Sequence, residues 1–164
     1  MQTSVDQFLD QTARRGTWYG GGSAAALSCA LAAALLEKLA SRSTAARPLR
    51  AMRTRCVGLV GQDAAAFSRV IRAKARRNRL AVQRALRAAI EIPAEVYASS
   101  QQLLKAASQI KQTIHPSYQV DLTCAVALAK ASGQAARALV ITNLAWLGDR
   151  AYSRQLHRKL SRLK

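Results

Sequence analysis

Gly20, Gly21, Gly22 and Ser23 run directly into a stretch rich in very small side chains, 24–34, closed by Leu35 and Leu36. A triglycine has no Cβ atoms to hold a ligand or a second backbone away, and a Cβ added at Gly21 would impair that approach or the turn itself. Ser23 is placed to N-cap the helix that follows, whose first amides lack intrahelical partners. Those amides and the positive end of the helix dipole favour an anionic group. The same residues also read as a flexible turn leading into a helix that packs closely through alanine. They are not a nucleotide fingerprint, since the GxGxxG spacing, a following Lys and a preceding strand signal are all missing.

Proton transfer in this chain falls to a carboxylate. Neither of the two histidines stands beside an obvious Ser or Cys nucleophile, which leaves a catalytic triad without support. Asp63 is the best candidate: it lies in an apolar segment, with Ala64, Ala65 and Ala66 leaving space around it, and partial desolvation would raise its pKa into a useful range. The competing reading is an ordinary carboxylate paired to one of the many arginines. Asp121 stands at the expected start of a helix, where the dipole alone favours an acid. Cys29, Cys56 and Cys124 occur singly, with no CxxC pair and no neighbouring His, so no metal site and no disulfide framework is expected. A reducing, cytoplasmic environment fits that usage.

The elements that must position these residues read as helices almost throughout. At 164 residues, 50% hydrophobic and 5% aromatic, the chain has the length and composition of one domain with a core of closely spaced helices. A short helix over 4–14 offers Phe8 and Leu9. A second follows the glycines and ends near 41–44. Pro48 suits the first turn of a third, which carries Met52, Cys56, Leu59, Val60, Phe67, Val70 and Ile71 at three- and four-residue spacings. A break at Arg77 and Asn78 precedes a fourth helix running on to Ile110, with Pro93 inside it as a kink. His115, Pro116 and Ser117 break the chain again. A fifth helix spans 118–147, Gly148 caps it, and a basic amphipathic tail helix follows, with Tyr152, Leu156, Leu160 and Leu163 as its apolar stripe. The apolar run 24–36 is too short to span a bilayer and fails as a signal peptide because Asp6 and Asp10 precede it.

The net charge of +18, from 26 basic and 8 acidic residues, would suit a nucleic-acid binder. Arg69, Arg72, Lys74, Arg76, Arg77, Arg79, Arg84 and Arg87 form one dense stretch, but no aromatic residue is interleaved to stack on bases. Nucleic acid is therefore not the favoured partner, and a solvated basic face is the simpler account.

Six segments in series carry a resemblance: Phe8-Leu9-Asp10; Gly20-Gly21-Gly22-Ser23-Ala24-Ala25-Ala26; Asp63-Ala64-Ala65-Ala66-Phe67; Ile92-Pro93-Ala94-Glu95-Val96; Asp121 opening an alanine-rich helix; and Asn143-Leu144 with Asp149 beyond. In that order they resemble the cyclodeaminase/cyclohydrolase family, which includes the cyclodeaminase half of formiminotransferase-cyclodeaminase and stand-alone methenyltetrahydrofolate cyclohydrolases. The resemblance implies an all-α bundle of long antiparallel helices, one domain over 1–164, assembled as a homodimer or larger. It implies a tetrahydrofolate derivative as substrate, in a pocket near the glycine turn and the subunit interface, with no metal and no permanently bound cofactor. Asp63 would be catalytic. Gly20, Gly21, Gly22, Ser23, Asp121 and Asn143 would contact substrate, Asp121 as a pterin or pocket-polar contact. The implied reaction is hydrolysis of 5,10-methenyltetrahydrofolate to 10-formyltetrahydrofolate; the alternatives are cyclodeamination of a formimino-folate and a noncatalytic basic relative that binds an acidic partner or RNA. The chain departs from the family pattern in Gly16-Thr17-Trp18-Tyr19 before the glycines, in 115–120, in the basic run 74–79 after the third helix, and in Leu139 where some relatives carry a second Asn.

Overall fold

A computed structural model describes residues 4–41 and 43–162, and among them there are helices and no strands. The helices are α1 (Val5–Ala13), α2 (Gly21–Leu39), α3 (Ala46–Ala75), α4 (Arg79–Ile110), α5 (Gln119–Leu147) and α6 (Arg150–Ser161), with a 3-10 turn at Pro116–Tyr118 before α5. Helices α2 to α5 run alternately up and down. Glu37 on α2 meets Arg53 on α3 while Ser23 meets Asp63, which sets those two antiparallel. Ala25 meets Ser132 while Lys38 meets Asp121, which does the same for α2 and α5.

Helix α2 is the hub, packed against α3, α4 and α5. Its buried positions are nearly all small: Gly22, Ser23, Ala25, Ala26, Cys29, Ala30, Ala32 and Ala33, with Leu36 as the one large side chain. By length and composition alone it is long and apolar enough to cross a membrane, as is Pro116–Leu147; half of that stretch of α2 is buried against the three neighbouring helices and the rest is partly open, with Leu31 50% exposed. Cys29 and Cys56, far apart in sequence, meet as buried thiols between α2 and α3.

The expected breaks fall where the backbone chemistry requires them. Arg77 turns with φ 51°, Asn78 caps α4 by accepting from the Ala81 amide at 3.0 Å, and Gly148 ends α5 in the left-handed conformation at φ 69°. Helix α4 continues through the buried Pro93. Other expectations shift. Helix α2 stops at Leu39, short of 41–44. Leu9 is exposed, and Phe67 and Ile71, read as core positions of α3, are each more than a third exposed. The reason is that α2 begins only at Gly21, so α2 does not cover α3 beyond Asp63, and Phe67 meets Trp18 at the surface instead. In α6 the apolar stripe holds with Leu156 buried; Leu163 lies outside the described residues.

Two glycines separate helix propensity from packing. Gly61 on α3 has open space where a Cβ would go, so Gly61→Ala is expected to stabilise by up to about 1 kcal/mol. At Gly133 on α5 a Cβ would fall 2.5 Å from Ser100 Oγ and 3.3 Å from Ser100 Cβ, so Gly133→Ala is expected to destabilise by about 1–3 kcal/mol despite the same propensity gain. Urea midpoints followed by circular dichroism check both signs.

Candidate active site

Helix α2 starts earlier than Ser23 would dictate. Gly20 is its N-cap, the Gly20 carbonyl accepts from Ala24 N at 2.9 Å, and no side chain caps the end. Ser23 is therefore the third helical residue, buried, with its hydroxyl turned across to α3 rather than back onto its own helix. It stands 3.0 Å from the Val60 carbonyl oxygen and 3.0 Å from Asp63 Oδ2.

Asp63 presses its carboxylate against the backbone of Gly22. A Cβ on Gly22 would overlap Oδ1 outright and lie 2.5 and 2.6 Å from Cγ and Oδ2. That contact explains why glycine stands at 22. At Gly20 and Gly21 a Cβ would meet nothing within 4 Å, so those two leave room for an incoming group, while the steric demand within the chain falls on Gly22.

The ion-pair reading of Asp63 does not hold. Glu37 is held by Arg50 and Arg53, Glu95 by Arg55, Asp121 by Lys38 and Asp149 by Arg87; among the described residues no cation pairs with Asp63. Desolvation pushes its carboxyl above the ordinary carboxylate range, and the Ser23 hydroxyl and amide oppose that shift without cancelling it. A hydroxyl has one hydrogen, so Ser23 suits both states of the acid. It donates to Asp63 when the carboxylate is charged. When the acid is neutral, Ser23 donates to Val60 and accepts from Asp63. The pair can hold or release a proton without moving a heavy atom.

Aromatic side chains flank this point. Phe67 follows Asp63 by one turn, and Trp18 meets it edge-on with centroids 6.3 Å apart; each is 39% exposed. Tyr19 packs edge-on against the buried Phe8, which ties α1 to the segment leading into the glycines.

Asp121 does not join this site within one chain. It binds Lys38 at 2.7 Å, sixteen residues along α2 from Gly22, or about 24 Å away at the helical rise. Its partner Lys38 lines an open pocket of about 790 Å³ together with Ile114, His115, Ser117 and Tyr118. Asn143 spends its amide N–H on the Ala89 carbonyl at 3.0 Å, across α4 and α5. Its place on α5, eleven residues beyond the Ser132 contact with Ala25, puts it roughly 10 Å past the glycines along the bundle. Sequence reasoning missed the aromatic wall of Trp18 and Phe67. The signal was an aromatic residue at i+4 from the candidate acid.

Residues 4–162 match the family model described as formiminotransferase-cyclodeaminase. The chain belongs to that family. Its fold is also that of the crystal structure of formiminotetrahydrofolate cyclodeaminase from Thermotoga maritima, with a TM-score of 0.91 and 22% identity over 98% of this chain and 87% of that one. A comparison with curated proteins gives no match.

The raised Asp63 pKa has a sign that stability can test. The folded chain holds this proton more tightly than the unfolded one, so its contribution to stability falls as pH rises from the ordinary 3.8 through the folded pKa, and the full penalty remains at neutral pH. Asp63→Asn is therefore expected to be more stable than wild type at pH 7, with the difference shrinking as pH is lowered toward 4. Urea melts across that range check it; a variant less stable than wild type at pH 7 contradicts the assignment.

Proposed function

We propose that this chain hydrolyses 5,10-methenyltetrahydrofolate to 10-formyltetrahydrofolate, with Asp63 as the group that carries the proton. The observation that supports this reading most is the half-buried, cation-free carboxylate held at the open start of α2 by Gly22 and Ser23. The methenyl carbon bridges N5 and N10 as an amidinium cation and needs an activated water. In a chain of net charge +18, Asp63 is a carboxylate left free to meet that cation, and the cation's approach favours the ionised form. Asp63 takes a proton from the water as its oxygen bonds to the methenyl carbon. The tetrahedral carbon then opens: Asp63 returns the proton to N5 as the carbon–N5 bond breaks, the new hydroxyl loses its proton to solvent, and the formyl group stays on N10. The exposed faces of Trp18 and Phe67 suit the flat ring system beside that carbon.

The same site supports a second reading, favoured by the raised Asp63 pKa and by the activity named for the Thermotoga structure. In cyclodeamination N10 attacks the formimino carbon on N5, the N10 proton passes to the former imino nitrogen, and a neutral Asp63 gives that nitrogen a second proton so that it leaves as ammonia. The two reactions are told apart by the methenyl absorbance, which decays in the first and grows, with ammonia release, in the second.

The working unit is a homodimer in this proposal. Helix α2 leaves a stripe of Ala24, Leu27, Ser28, Leu31 and Leu35 only partly covered, with Leu31 50% exposed, and the neighbouring α5 leaves Cys124, Ala127, Ala131 and Ala138 outside. Two such faces paired antiparallel would bring the Asp121 end of one chain to the Asp63 end of the other. That is where the substrate contacts expected of Asp121 would operate.

Asp63→Asn is expected to lower turnover by about 10²–10⁴-fold and also to weaken binding of the cationic substrate, because the charge that meets it is gone. Ser23→Ala removes the hydroxyl that opposes the raised pKa, so the limb of the pH–rate profile governed by Asp63 should move to higher pH. Full turnover in Asp63→Asn would sink the mechanism. Sedimentation equilibrium is expected to give a dimer at micromolar concentration and a monomer for Leu31→Glu, with activity falling in parallel.

A further inference from the structure

The basic stretch after α3 has no stacking residue in its own sequence, but the fold supplies one from α5. Trp146, in the last turn of α5, is 53% exposed, and Lys74 Nζ stands 4.4 Å from its ring centroid. Lys74, Arg77, Arg79, Val82, Leu86 and Trp146 line an open pocket of about 440 Å³ where α3 ends, α4 begins and α5 ends. That is within the range of small-molecule sites, roughly 300–1,000 Å³. The dipole of α3 accounts for Arg72 and Lys74 in its last turn. It does not account for Arg77 and Arg79 beyond the helix end, nor for an indole left half exposed beside them.

No acid neutralises this cluster. Among the described residues none of Lys74, Arg76, Arg77, Arg79 and Arg84 forms an ion pair, and Asp149, the acid that follows Trp146 in the chain, is held by Arg87 at 2.8 Å and caps α6. Uncompensated cations around an exposed aromatic face match a ligand that is flat at one end and multiply anionic at the other. Val82 and Leu86 give the pocket an apolar floor on which a ring edge can rest. Lys74 stands eleven residues along α3 from Asp63, about 16 Å at the helical rise, so this place is separate from the candidate active site.

We infer that this pocket binds a nucleotide unit, its base stacked on Trp146 and its phosphate among Lys74, Arg77 and Arg79. The unit is either a free nucleotide or part of a single strand. The assignment is independent of the folate reading and stands or falls without it.

The test uses the full chain carrying Trp18→Phe, so that Trp146 alone reports by fluorescence, with adenosine monophosphate and a labelled ten-nucleotide oligouridylate as probes. Quenching of Trp146 is expected. Trp146→Leu, which keeps apolar bulk and removes the indole, should weaken the oligonucleotide about tenfold without changing its salt dependence. The combined Lys74→Ala, Arg77→Ala, Arg79→Ala variant should reduce the slope of log affinity against log salt by about 2. Removing the same charge from α6, as Arg150→Ala, Arg154→Ala and Arg158→Ala, should leave Trp146 quenching in place. Quenching by the mononucleotide points to a free nucleotide, and quenching by the oligonucleotide alone points to a strand. The inference is overturned if Trp146→Leu binds like wild type, if the α6 variant loses as much affinity as the pocket variant, or if a decaglutamate peptide binds as tightly as the oligonucleotide. Circular dichroism verifies that each variant is folded.

Discussion

The contact between the Asp63 carboxylate and the bare backbone of Gly22 constrains everything around it. It requires that position 22 carry no side chain, that α2 begin close enough to α3 for the two to touch, and that Ser23 stand where it can satisfy the acid in either protonation state. A carboxylate placed there loses much of its hydration and gains no cation in return. That arrangement costs stability, and it is compensated by the packing of α2 through small side chains against three helices at once. The hub of the fold and the candidate acid thus depend on the same helix.

The late start of α2 has a second consequence. Below Gly21 the bundle is four helices thick. Above it α3 and α5 continue without α2 between them, and the side chains left partly bare there include Phe67, Ile71 and Trp146. Apolar surface lies next to an acid at one level and next to a basic turn about 16 Å farther along α3. The charge of +18 is then not a uniform coat, because Glu37, Glu95, Asp121 and Asp149 each hold basic partners while no acid among the described residues pairs with the α3–α4 turn.

Much of this was legible in the sequence. The 3.6-residue periodicity, Asn78 before α4 and Gly148 after α5 mark the helices because caps and left-handed turns demand particular residues. Asp63 stood out as an acid in an apolar segment. What could not be read was which residues meet across helices. Ser23 satisfies every local rule for an N-cap, yet a helix nucleated one turn earlier at Gly20 frees its hydroxyl for α3. Asp121 and Asn143 belong to the same pattern of residues as Asp63 but lie at different heights along the bundle, since helix rise separates what a motif list joins. Trp146 joins the basic stretch from a distant helix for the same reason.

The proposed chemistry rests on the protonation of the Asp63 carboxyl, and carbon-13 NMR of the protein labelled at its aspartate side-chain carboxyls measures that directly, with Asp63→Asn assigning the signal. The Asp63 resonance should titrate above that of Asp149, and its midpoint should fall when a cationic methenyl-folate binds. A midpoint at or below the ordinary carboxylate range, unmoved by that ligand, would contradict the claim that Asp63 is held desolvated and unpaired to meet a cation.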